Sequence, residues 1–158
     1  MDRSTKSHRR VGPWLLVLAA AALIATGIVH SVRASSSPFH ASQYWLRFSC
    51  YGNCSCSQLP QVSAYFPTVG SRTVALNNEQ GCVSGPDLQK GGTIEVKIKS
   101  GGTVVLSGTI QMDDNAQNRH TLGTHDGVTY TTYCQTGAVD CGGGVKDTWF
   151  PEVEATCN

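Results

Sequence analysis

Charged residues are scarce in this chain. Asp, Glu, Lys and Arg make up 15% of its 158 residues while 40% are apolar, a balance that excludes a self-repelling disordered polymer. Helical periodicity is missing too, since no stretch repeats apolar residues at three- and four-residue spacing, and 17 glycines exceed what a helical bundle tolerates. Beyond residue 37 there is no basic cluster, which excludes the phosphate-neutralising stripe of a nucleic-acid binder. Catalytic signatures are also absent: there is no Gly-x-Ser-x-Gly elbow, no Gly-rich phosphate loop with its Lys and no His-Glu-x-x-His. Gly142-Gly143-Gly144 has neither the Lys nor the strand-to-helix setting that phosphate binding needs. The length leaves room for one ordinary domain and excludes a multidomain enzyme.

What charge there is divides unevenly. Arg3, Lys6, Arg9, Arg10 and Arg33 stand against Asp2 in residues 1–37, leaving seven basic and ten acidic residues for the remainder. The basic segment ending at Arg10 precedes an uncharged run from Val11 to Val32, and Val32-Arg33-Ala34 is followed by Ser35-Ser36-Ser37. This pattern predicts a secretory signal helix over residues 1–34 with a cut after Ala34. The alternative is an uncleaved anchor that crosses a membrane through residues 11–32. The strongly apolar part, Trp14 to Val29, would reach only about 24 Å as a helix against a hydrocarbon core of about 30 Å, which favours cleavage. Either way the predicted location is extracytoplasmic: secreted, periplasmic or at the cell surface.

All seven cysteines, Cys50, Cys54, Cys56, Cys82, Cys134, Cys141 and Cys157, follow the export segment, as expected of an oxidising compartment and a disulfide-stabilised domain. The odd count leaves one thiol over, for a disulfide-linked dimer or a free thiol. The cluster Cys50, Cys54 and Cys56 has the softness to hold Cu(I) or Zn(II) but lacks the second Cys pair of a structural zinc site, so disulfides are the preferred reading. Asn53-Cys54-Ser55 makes Asn53 a glycosylation acceptor in a eukaryotic source.

After a linker over residues 35–42, residues 43–158 read as one all-β domain. The clearest strand is Thr93–Lys99, with Ile94, Val96 and Ile98 on one face, and Ser100-Gly101-Gly102 turns it into a return strand from Thr103 to Met112. Gly108 is expected to mark a bulge there. Weaker strands are Tyr44–Ser49, Val62–Phe66, Arg72–Leu76, Gly127–Cys134 and Val145–Glu154, about seven in all. Their spacing predicts an antiparallel sandwich or jelly roll. Asp113–His125 and Gly137–Gly144 read as long irregular loops.

Two constellations are candidates for function. His120, His125 and Asp126 place two imidazoles and a carboxylate within seven residues, and are the residues of a small extracytoplasmic enzyme or metal site. No cofactor is otherwise expected. Alternation puts Tyr44, Leu46 and Phe48 on one side of the first strand and Trp45 beside Arg47 on the other, while Tyr133 shares a face with Thr129 and Thr131. Trp45, Tyr133 and Trp149 are therefore expected to offer rings on a polar sheet face, where large area is presented at small entropic cost. Glu152 and Glu154 are expected on a solvated face, with Val153 and Ala155 inward. The leading functional expectation is a secreted or surface-tethered, non-catalytic domain that binds an extracellular protein or glycan. A structural cell-surface component is the third alternative.

Overall fold

Strands of alternating character need partners for their main-chain groups and a cover for their apolar face. The computed structural model, which describes residues 39–52, 59 and 61–157, shows how both needs are met. Nine strands are found among the described residues: β1 (His40–Tyr51), β2 (Val62–Phe66), β3 (Arg72–Ala75), β4 (Asn78–Gln89), β5 (Thr93–Ser100), β6 (Thr103–Gln111), β7 (His120–His125), β8 (Val128–Asp140) and β9 (Val145–Cys157). They form a five-stranded sheet in the order β4-β1-β9-β8-β7 and a four-stranded sheet in the order β3-β2-β5-β6. The fold is an all-β sandwich.

The core lies between the inner faces. Tyr44, Leu46 and Phe48 from β1, Tyr130 from β8, and Trp149, Val153 and Ala155 from β9 meet Ala64 and Phe66 from β2 and Ile94, Val96 and Ile98 from β5, all fully buried. Trp149 also donates its indole N–H to the Leu88 carbonyl at 3.1 Å and takes Phe39 edge-on at 4.5 Å between centroids. The β5–β6 hairpin closes through Gly101 and Gly102 with φ of 56° and 87°, the two positive angles that its two-residue turn requires.

Several expectations are corrected. One pair is parallel: β1 runs alongside β9 from Tyr44 opposite Trp149 to Tyr51 opposite Thr156, and local pattern carries no information about a pairing between strands so distant in sequence. Two strands were hidden. β4 contains Gly81, Gly85 and Pro86, and its pairing with β1 slips twice, so it has no clean period of two. β7 occupies His120–His125, inside a stretch read as loop. β8 continues through Gly137 to Asp140, and β1 begins at His40, inside the expected linker. Gly108 marks no bulge. It pairs regularly with Val96, and the slip in that hairpin lies between Leu106 and Val104. A Cβ on Gly108 would fall 2.3 Å from Leu122 Cδ1, and one on Gly123 2.8 Å from Leu106 Cδ2. The glycines thus let the edges of the two sheets, β6 and β7, interlock leucine over glycine. The export segment, Asn53, Cys54 and Cys56 lie outside the described residues; among those residues no helix is long and apolar enough to cross a membrane.

Cys82 and Cys141 form a disulfide across 59 positions, and Cys157 is also disulfide-bonded. Cys134 is a free, fully buried thiol, pushed up to about 12 by burial, which removes it as a bridge between copies.

Candidate functional site

The outward face of the five-stranded sheet is built in rows, because register places residues of neighbouring strands side by side. One row is charged: Glu79 on β4, Arg47 on β1, Glu152 on β9 and Tyr133 on β8. The Arg47 guanidinium donates to Glu79 from Nε and Nη2 at 3.3 and 3.2 Å and reaches Glu152 from Nη1 at 3.5 Å. In the next row Ser49, Glu154 and Thr131 align, and the Ser49 hydroxyl donates to Glu152 at 2.5 Å. Arg119 donates to Glu154 and lies over the Tyr133 ring, 4.2 Å from its centroid. Burial first, then the hydrogen bond and charge of Glu152, push the Tyr133 phenol above its ordinary range.

Glu152 and Glu154 do face outward, opposite Val153 and Ala155, yet each is only 6% exposed. The expectation of a solvated face is corrected: β9 is a central strand, and Arg47, Arg119 and Tyr133 from its surroundings roof the two carboxylates. Both carboxylates are held in ion pairs beneath those side chains, an arrangement that fixes the sheet surface.

A second row is aromatic. Trp45 on β1 sits beside Phe150 on β9, with ring centroids 6.2 Å apart and planes 24° apart, and both rings are half-buried. Glycine explains their posture. A Cβ on Gly81 would fall 2.3 to 2.7 Å from Cε3, Cζ3 and Cδ2 of Trp45, and one on Gly137 2.7 Å from Phe150 Cε2. Each ring therefore passes closely over backbone that carries no side chain. The Gly81 contact arises from a bulge: only Trp45 stands between Tyr44 and Leu46, whereas Gly81 and Cys82 both stand between their partners Gln80 and Val83, with Cys82 at φ 57°.

The expected site residues separate. Trp45 and Tyr133 share the outer face. Trp149 does not: it is 0% exposed, because the same alternation that turns Val153 and Ala155 inward also turns Trp149 inward and sends Phe150 out. Phe150, Gly81, Gly137 and Arg119 were missed; the Val153–Ala155 parity was the signal for Phe150, whereas the glycines needed the register. His120 and His125 stand at opposite ends of β7, facing Thr132 and Val128, about 16 Å apart by strand rise. His125 pairs with Asp126 at 3.2 Å, and Asp126 and Gly127 form a hairpin turn with φ of 49° and 76°. No group of three or more His, Cys, Asp or Glu that could hold a metal ion occurs among the described residues. No family model, characterised protein or solved structure matches this chain.

Proposed function

We propose that this protein is a non-catalytic binding module, exported to the cell exterior, whose outer sheet face recognises a glycan. The observation that carries the reading is the pair of near-parallel, half-buried rings, Trp45 and Phe150, packed over Gly81 and Gly137. A core residue has no need of this posture, and a flat apolar surface beside polar rows suits the C–H face of a sugar ring. The Arg47, Glu152, Glu154 and Arg119 network supports the reading by fixing the neighbouring surface, so that little side-chain entropy is lost on binding. The basic-then-apolar N-terminus and the Cys82–Cys141 bond support an oxidising location.

A printed glycan array tests this. The wild-type chain is expected to bind a subset of glycans, and Trp45→Ala, with an unchanged circular-dichroism spectrum, to lose at least tenfold in signal. Equal binding by the variant refutes the platform, and a protein partner on the same face then becomes the reading to pursue.

A further inference from the structure

We infer that a cleft between β1 and β9 is the second half of the same ligand site, and that the ligand is an oligosaccharide of at least two rings. The inference rests on the binding-module reading and narrows its ligand class. The parallel ladder between the two strands starts at Tyr44 opposite Trp149. Ahead of that point, residues 40–43 pair only with β4 and residues 145–148 only with β8, so the two inner edges part like a fork. The opening is a cleft of about 470 Å³ whose lining includes His40, Ser42, Gln43, Asp87, Lys146 and Asp147, within the range of about 300–1,000 Å³ found for small-molecule sites.

Three features give the cleft its chemistry. Main-chain groups along the two parted edges are outside the ladder between β1 and β9 and need other partners. The Gln43 side-chain oxygen is buried and accepts no hydrogen bond from the described residues, a standing cost that is removed when the side chain turns toward a ligand's donor. The Asp87 carboxylate, held by His40 at 3.0 Å, and that of Asp147 add further acceptors, against Lys146 as the cationic donor. An acceptor-rich lining calls for a ligand rich in hydroxyl donors. Position supplies the rest. Gln43 precedes Trp45 by two residues on β1, and Lys146 precedes Phe150 by four on β9, so the cleft continues the aromatic row along both strands. One sugar ring on the rings of Trp45 and Phe150 places its neighbour at the fork, where the Gln43 side chain turns to accept from a hydroxyl.

The test is titration calorimetry on the purified full-length chain with cello-, xylo-, manno- and chito-oligosaccharides of one to six residues. Wild type is expected to bind at least one series, with affinity rising at least tenfold from the monosaccharide to the trisaccharide. Gln43→Leu is expected to lose tenfold or more, Gln43→Glu to stay within threefold because it keeps an acceptor in place, and Trp45→Ala to abolish binding. Thermal melts establish that each variant is folded. If Trp45→Ala abolishes binding while Gln43→Leu stays within twofold of wild type, the fork is not part of the site and the binding-module reading survives. A wild type that binds none of the four series overturns both. Protection of the amides of residues 40–43 from hydrogen exchange by random heptapeptides, but not by sugars, assigns the fork to an extended peptide and likewise overturns the inference.

Discussion

At the scale of single residues, much depends on which short side chain sits beside which long one. Asp113 is an example with a measurable pH signature. The Asn118 amide, with help from Lys90 and against some burial, lowers its carboxyl from 3.8 to about 2. A carboxylate whose folded value is depressed stabilises the fold above its unfolded value, and that contribution is lost as pH falls through the folded one. Here the window runs from about pH 4 down to about pH 2. Carbon-13 NMR titration of the side chain is expected to give a midpoint near 2 in wild type and a value back toward 3.8 in Asn118→Ala. A midpoint unchanged by that substitution would show that Asn118 is not the cause. Residue-scale reading from sequence succeeds where alternation is undisturbed: Tyr44, Leu46 and Phe48 are buried and Trp45 and Arg47 face outward. It fails at Trp149 and Phe150, because two adjacent aromatics have opposite fates and only one phase of the strand is right.

Among the elements, the junction of β6 and β7 joins the sheets without a main-chain ladder, through Leu106 over Gly123 and Leu122 over Gly108. Gly108→Ala puts a methyl 2.3 Å from Leu122 Cδ1, and overpacking of this kind costs about 1–3 kcal/mol. Urea denaturation is expected to show a lower midpoint with an unchanged slope, and the further change Leu122→Ala is expected to relieve part of the strain, since neighbouring substitutions couple. A fully additive double variant would locate the damage elsewhere. The strands β2, β3 and β5 and the β5–β6 turn were legible because period-two alternation and the Gly-Gly turn agree there. β4 and β7 were not, since bulges shift the phase of alternation and glycine and proline imitate loop punctuation. The same bulges position Gly81 and Leu122, so the features that obscured the strands also build the site and the sheet junction.

For the molecule as a whole, two long-range links stand out among the described residues: the β1–β9 parallel ladder and the Cys82–Cys141 bond, which ties an edge strand to the end of β8 across 59 positions. In the chain-entropy account a loop of that length restricts the unfolded ensemble by about 4 kcal/mol. The double variant Cys82→Ser, Cys141→Ser is expected to unfold with about 2–4 kcal/mol less stability by guanidinium titration, and a loss below about 1 kcal/mol would show that this bond adds little to the fold. Neither link was legible, because pairing across most of a domain leaves no trace in local pattern and seven cysteines permit too many connectivities.

Cys82 has one more property, its address. It is the chain neighbour of Gly81 within a single bulge, so the sulfur bridge staples the very backbone on which the indole of Trp45 rests. If the proposed binding role holds, a reductant that opens this bridge is expected to weaken binding by slackening the seat beneath that ring while the two sheets stay packed.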